Sequence, residues 1–150
     1  ITPNELELQE VIGPWSSSAE MENKAFELVR QIDIDGLLVT RGEDGMMLFL
    51  PGGEVLQEKA RSLEVYDISG AGDTVVAMVA VGIAAGFDWK QILRLSNIAA
   101  GVVVGKLGTA VATLTEIKAK LLIFIFVLYY LTVVCNKNFD CIFSARSKRP

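Results

Sequence analysis

The sequence DISGAGDT, residues 67–74, places three small residues between two carboxylates and leads into a run without glycine or proline. This pattern predicts a strand, a tight glycine turn and then a helix. In such a turn the backbone N–H groups of Gly70, Ala71 and Gly72 can converge on an anion at the helix N-terminus, where the helix dipole favours negative charge. Side chains larger than alanine would keep a phosphate away from these donors. We therefore expect an anion hole at this turn.

Asp73 follows the anion hole, in the first turn of the predicted helix. A carboxylate beside an anion is electrostatically unfavourable unless it has a chemical role, such as accepting the proton of an attacking hydroxyl. The alternative is an ordinary glycine turn with an acidic residue near a helix start, which is common. The strand–turn–helix setting favours Asp73 as a catalytic residue.

Three stretches of the sequence resemble the ribokinase-type, or PfkB, family of carbohydrate kinases. They are the signature itself and its wider form VYDISGAGDTV, together with VTRGEDGM at residues 39–46 and NIAAGVVVGKLGT at residues 97–109. The resemblance covers residues 1–117 and only the second half of such a domain. It implies an α/β fold, the C-terminal part of a ribokinase-like three-layer α/β/α sandwich. These three stretches are most similar to kinases of lipopolysaccharide precursor synthesis, which use ATP and magnesium to phosphorylate heptose 7-phosphate at its anomeric hydroxyl.

The resemblance also implies where the nucleotide binds. It assigns the loop with Thr40, Gly42 and Gly45 to ATP, and it places the adenine between the helix that carries Asn97 and the loop that ends at Gly108. From the residues alone, the first loop is also typical of a hairpin turn. Asn97, a polar residue on an apolar helix, also fits a position facing solvent.

Two pairs of polar residues are candidate ion ligands. Asn4 and Glu7 lie three residues apart, on one side of a predicted helical turn. The resemblance implies that they help to organise magnesium through water, and magnesium keeps much of its hydration shell. The same pair fits a helix N-cap with an acidic first turn. The resemblance further implies that Asp67 and Ser69, with the Gly108 region, hold a monovalent cation such as K+.

Apolar periodicity predicts the remaining elements. An amphipathic helix is predicted over residues 18–32. Short strands are predicted at residues 36–41, 46–50 and 54–59, and Asp88 is expected to cap the helix that follows the signature helix.

Composition narrows the classes of function. The net charge is −4 and no basic stripe occurs in the first 117 residues, so nucleic acid is not an expected partner. The absence of histidine excludes histidine triads and histidine metal sites. Both cysteines, Cys135 and Cys141, lie near the end of the chain, which excludes a disulfide framework and indicates a reduced, cytoplasmic protein.

The chain begins at Ile1, and we interpret it as a piece of a longer protein. The expected partner is a small-molecule sugar phosphate, and the resemblance implies a homodimer for the intact protein. An alternative is a catalytically inactive fragment that retains part of the nucleotide site.

The tail differs in composition from the rest of the chain. Residues 121–134 form an apolar run of fourteen residues with basic residues on both sides. A spanning helix needs about twenty residues, so a membrane span is not favoured. We predict a kinase segment over residues 1–117 and a tail foreign to the family over residues 118–150, with residues 121–150 read out of frame or from non-coding sequence. A membrane segment and a buried core element are the alternatives.

Overall fold

The structure is a computed structural model, and it describes residues 1–60 and 66–122. The chain divides into two units, Ile1–Ala112 and Thr113–Pro150. In the second unit, residues 114–122 are helical. The Glu116 N–H donates to the Thr113 hydroxyl oxygen at 3.4 Å, and the Thr113 N–H donates to the Glu116 carboxylate at 2.9 Å. The predicted boundary after residue 117 falls inside this helix.

Most of the apolar tail, from residue 123 onwards, lies outside the described residues. The expectations of a frame shift, a membrane segment or a core element for it stay predictions. Within the two described ranges, no helix combines the length and the apolar character that crossing a bilayer requires.

Two helices open the first unit: α1 at Glu5–Ile12 and α2 at Ser18–Ile32. Helix α2 confirms the predicted amphipathic helix. Its buried residues, Met21, Ala25 and Val29, are spaced by four, so they form one apolar stripe.

Three strands follow: β1 at Leu37–Thr40, β2 at Met46–Phe49 and β3 at Val55–Glu58. They form an antiparallel sheet in the order β1-β2-β3, with Leu38 opposite Leu48. Each strand lies within its predicted range, and the two hairpins confirm the predicted turns.

Residues 1–4 extend this sheet on the free side of β1. The Leu38 N–H donates to the Ile1 carbonyl at 2.9 Å, and the Thr40 N–H donates to the Pro3 carbonyl at 3.0 Å. This segment runs parallel to β1, with Asn4 paired to Thr40. Because both segments run in one direction, Asn4 and Thr40 end at the same edge of the sheet.

The last two elements of the unit are helices α3 at Ala71–Ala84 and α4 at Trp89–Val104. Asp88 caps α4 as predicted, through a reciprocal pair of bonds with Gln91 at 2.8 and 3.1 Å. The two helices pack closely where Gly82 faces Ile92: a Cβ at position 82 would lie 2.6 Å from the Ile92 side chain.

The sheet separates two apolar clusters, because neighbouring residues of a strand point to opposite faces. One cluster unites α1 and α2 with one face of the sheet, through Leu8, Met21, Ala25, Val29, Leu37, Val39, Met47 and Phe49. The other unites α3 and α4 with the opposite face, through Leu38, Met46, Leu48, Val75 and Leu93. The result is helix, sheet and helix in three layers, which confirms the predicted α/β class.

Candidate active site

The glycine turn begins helix α3 as predicted. Gly70 is the N-cap of the helix and has a left-handed backbone, with φ 78° and ψ 0°. Its carbonyl accepts two bonds from Thr74, from the N–H at 3.0 Å and from the hydroxyl at 2.8 Å. A residue with a Cβ adopts this conformation only at a cost, so glycine is the natural choice for the turn.

The first turn of α3 presents backbone donors. The N–H groups of Ala71, Gly72 and Asp73 have no acceptor within the helix, because the first intrahelical bond is the one made by Thr74. The Ala71 N–H makes a long bond of 3.3 Å to the Ile68 carbonyl. These groups do not pair in a sheet ladder, and the helix dipole adds partial positive charge beside them. The arrangement suits an anion hole.

Asp73 is exposed in the same turn. Its carboxylate is therefore accessible beside the donors, rather than buried in the core. This is the placement that a proton acceptor for an incoming hydroxyl requires. The catalytic role of Asp73 stays a prediction.

Asp67, Ser69 and Gly108 come together at the start of the turn. The Ser69 N–H donates to the Asp67 carboxylate at 2.8 Å. Hydrogen bonds from the Ser69 backbone, then from its side chain, and a weaker one from the Gly108 backbone, lower the pKa of Asp67. The N–H of Asp67 also donates to the Val104 carbonyl at 3.3 Å, which ties the turn to the end of α4. The clustering fits the implied cation site, which stays a prediction.

Asn4 and Glu7 form a capping box at the start of α1. The Glu7 N–H donates to Asn4 Oδ1 at 2.9 Å, and the Asn4 N–H donates to Glu7 Oε2 at 2.8 Å. The N-cap interpretation is thus confirmed. Both residues are exposed, and the second carboxylate oxygen of Glu7 takes no part in the box. A water-mediated role toward magnesium is compatible with this geometry and stays a prediction.

The loop between β1 and β2 is a tight turn. Thr40 ends β1, and Gly42–Asp44 forms one turn of 3₁₀ helix before Gly45, which has φ 87°. A Cβ on Gly45 would collide with the backbone oxygen of Glu58 and lie 2.5 Å from the Ala60 nitrogen. Gly45 is therefore required both by its backbone conformation and by the close approach of the end of β3.

Asn97 is buried and belongs to the interior of the protein. Its side chain is 4% exposed, and its Nδ2 donates to the Lys59 carbonyl at 2.7 Å. The interpretation that Asn97 faces solvent is wrong, because its side-chain amide is buried and donates a hydrogen bond to a backbone carbonyl at the end of β3. Gly45 packs against the same backbone, so Gly45 and Asn97 both contact the segment Glu58–Ala60. Contact of Asn97 with adenine stays a prediction.

The predicted site residues therefore fall into two groups. One group gathers at the edge of the sheet and comprises Asn4, Glu7, Thr40, Gly42, Gly45 and Asn97. The other surrounds the start of α3 and comprises Asp67, Ser69, Gly70, Ala71, Gly72, Asp73 and Gly108. One apolar cluster contains Met46, which follows Gly45 of the first group, and Val75, which lies two residues after Asp73 of the second.

Sequence reasoning missed one contact of the first group. Arg41 Nε lies 2.8 Å from Glu5 Oε1, so the loop between β1 and β2 is tied to the first residue of α1. The two residues are 36 positions apart in the sequence, and no local sequence pattern indicates such a pair. The available signal was the place of Arg41 at the carboxyl end of a strand, where ligand sites gather in α/β sheets.

Solved structures identify the class of this fold. The ribokinase of Arabidopsis thaliana, solved with ribose and ATP, matches with a TM-score of 0.72 and 26% identity, over 79% of this chain and 39% of that one. The phosphofructokinase-2 of Escherichia coli matches in fold with a TM-score of 0.71, at 18% identity and over the same 79% of this chain and 38% of that one. The fold is therefore ribokinase-like.

The family follows from the sequence match. The model of the pfkB family carbohydrate kinases matches residues 1–116, and the chain belongs to that family, as predicted. Relatives include the bifunctional protein HldE of Stutzerimonas stutzeri, 47% identical over 118 residues, and that of Hahella chejuensis, 45% identical over 118 residues. Each match covers 79% of this chain, and the chain spans 25% of the length of each relative.

Proposed function

We propose that these residues form the nucleotide and phosphoryl-transfer part of an ATP-dependent sugar kinase. The observation that carries the proposal is the start of α3, where Gly70 turns the chain so that N–H groups without an acceptor in the helix and the exposed Asp73 share one helical turn. Membership of the pfkB family supports the class of reaction. Because the chain spans a quarter of its relatives, the activity is proposed for the domain to which these residues contribute.

The proposed reaction moves the γ-phosphoryl group of ATP to a sugar hydroxyl. The Asp73 carboxylate accepts the hydroxyl proton, the sugar oxygen bonds to the γ-phosphorus, and the bond from that phosphorus to the bridging oxygen of ADP breaks. The amides of Gly70, Ala71 and Gly72 hold the negative oxygens of the transferring group, since such donors stabilise charge most where water is excluded.

The nucleotide and its ions are proposed to lie between the two groups of residues. Thr40, Gly42 and Gly45 would contact the phosphates and ribose, with Asn97 and Gly108 on the adenine side. Magnesium, when bound, neutralises phosphate charge. Among the described residues no cluster of three or more acidic or thiol side chains could hold a metal directly. Asn4 and Glu7 are exposed, and this fits a role through water, because magnesium keeps several of its waters when it binds beside nucleotide phosphates.

The acceptor is proposed to be heptose 7-phosphate, phosphorylated at its anomeric hydroxyl. The identity of 45–47% to the bifunctional proteins HldE supports this choice, together with the resemblance of residues 39–46, 65–75 and 97–109 to the heptose kinases. ATP and a sugar phosphate are cytoplasmic metabolites, so the cytoplasm is the proposed compartment. A homodimer of the intact protein is likewise a proposal.

The test is Asp73→Asn in the kinase domain made with the upstream sequence that its relatives possess. ATP affinity should stay within about twofold, while turnover with heptose 7-phosphate falls by roughly 10²–10⁴, the usual contribution of a positioned proton acceptor. Turnover is measured with a coupled ADP assay and affinity by calorimetry.

The matched control is Asp88→Asn, the same substitution at the start of α4. Asparagine caps a helix about as well as aspartate, so stability and turnover should be nearly unchanged. Equal turnover in Asp73→Asn and the unsubstituted domain would remove Asp73 from the proposed role. Turnover with another sugar but none with heptose 7-phosphate would leave the kinase standing and refute the acceptor.

A further inference from the structure

Arg41 lies between Thr40 and Gly42, which are assigned to the nucleotide, and contacts of its side chain hold it in place. Its Nε donates to Glu5 Oε1 at 2.8 Å, and its Nη1 donates to Met47 Sδ at 3.5 Å. The Arg41 side chain is 19% exposed and that of Glu5 is 37% exposed. Partial burial of Arg41 reduces screening by solvent on its side of the pair, whereas Glu5 is more exposed.

The backbone of Arg41 closes the loop that follows it. Its N–H donates to the Gly45 carbonyl at 2.8 Å, and its carbonyl accepts from the Asp44 N–H at 3.1 Å. The loop geometry is therefore centred on Arg41, and whatever fixes Arg41 fixes Gly42 and Gly45 as well.

Glu5 also lies between two residues assigned to the site, Asn4 and Glu7, at the start of α1. It follows Asn4 directly and lies two residues before Glu7, so it is part of the helical turn that the capping box holds. The backbone pairing of residues 1–4 with β1 brings this turn to the loop, and it includes the bond from the Thr40 N–H to the Pro3 carbonyl at 3.0 Å. The Glu5–Arg41 contact adds a side-chain link between the same two segments.

We propose that Glu5 and Arg41 form a positioning pair that fixes the Asn4–Glu7 turn against the nucleotide loop. The pair touches neither the reacting atoms nor the proton acceptor, and it acts through the placement of Asn4, Glu7 and the loop glycines. The inference rests on the proposed function, because it assigns the two segments to one nucleotide–magnesium site. Loss of either charge then weakens binding of ATP with magnesium more than binding of ATP alone.

The first readout needs no nucleotide. Hydrogen exchange is followed at the amides of Arg41 and Gly45, which make the loop bonds, and at Ile92 in α4 as a reference. Glu5→Gln and Arg41→Gln should accelerate the two loop amides on the order of fivefold, a typical size for coupling between two sites, and leave Ile92 unchanged. The control Glu43→Gln removes an exposed charge of the same loop and should change none of the three.

The second readout is the dissociation constant for ATP, measured by calorimetry with and without magnesium on the same chains. Each single substitution should weaken binding with magnesium on the order of fivefold, and the charge-exchanged chain Glu5→Arg with Arg41→Glu should recover most of the loss. A five-fold effect that is equal with and without magnesium would refute the coupling between the two segments.

The two proposals fail in different ways. An unsubstituted chain that binds no ATP refutes the proposed function, whatever the exchange data show. Loop amides that exchange at the same rate in Glu5→Gln refute the positioning pair, whatever the affinity for ATP. If Glu5→Gln also accelerates Ile92, the charge-exchanged chain decides: restored protection of Arg41 and Gly45 supports the pair, and unrestored protection overturns it.

Discussion

Replacement of Gly45 by alanine tests the geometry of the loop between β1 and β2, which is proposed to bind the nucleotide. Gly45 has φ 87°, which costs a residue with a Cβ roughly 1–2 kcal/mol. The new Cβ would also collide with the Glu58 oxygen and stand 2.7 Å from the Lys59 carbonyl carbon. These are backbone atoms, so no rotamer change relieves the contact, and the end of β3 must move.

The size of the effect follows from what that movement breaks. The end of β3 pairs with Met46 and holds the bond from Asn97 to Lys59. Loss of one or two such bonds costs about 1 kcal/mol each. Added to the backbone term of roughly 1–2 kcal/mol, these losses mean that Gly45→Ala should lower the free energy of unfolding by about 2–4 kcal/mol. Urea denaturation followed by circular dichroism measures it.

The matched control is Gly42→Ala in the same loop. Gly42 also has a positive φ, 56°, but a Cβ there would meet nothing within 4 Å. Gly42→Ala should therefore lower the free energy of unfolding only by the cost of the positive φ, roughly 1–2 kcal/mol. Equal losses in the two variants would refute the close approach between Gly45 and the end of β3.

Two further predictions concern single hydrogen-bonded groups. Hydrogen bonds from the Ser16 N–H and hydroxyl, followed by one from Lys24, lower the pKa of Glu20 from 4.5 to about 2. The contribution of Glu20 to stability is therefore present above pH 4.5 and is lost as the pH falls towards 2. A carbon-detected titration of Glu20 with a midpoint of about 4 or above would contradict this. Asn97→Asp replaces the donor to the Lys59 carbonyl by an acceptor in a buried position, so it should destabilise the chain by about 2–3 kcal/mol. If urea denaturation shows a loss of unfolding free energy below about 0.5 kcal/mol, the bond is absent in solution.

The elements were predictable where local chemistry decides them. The glycine turn before α3 needs a residue that accepts φ 78°, and Asp88 with Gln91 forms a capping box whose two bonds join residues three apart. The strands were readable as short apolar runs because both faces of the sheet are covered by helices. In each case the interacting groups are close in sequence, or one residue type satisfies a backbone requirement.

The rest depends on contacts between distant segments. Burial of Asn97 follows from its bond to Lys59, 38 residues earlier, and a single polar residue on a helix does not disclose such a partner. The same holds for Arg41 and Glu5, and for the parallel pairing of residues 1–4 with β1. These contacts arise from the topology of the sheet, so sequence periodicity carries no trace of them.

The most direct test of the central claim is a titration of the 15N-labelled chain with ATP and magnesium, followed through its amide resonances. The account predicts that the amides of Gly70, Ala71 and Gly72 shift most, because their N–H groups meet the phosphates. The start of α4, where the Asp88 side chain already occupies the Gln91 N–H, should shift little. Shifts at the start of α4 without shifts at Gly70, Ala71 and Gly72, or no shifts with millimolar ATP, would contradict the account.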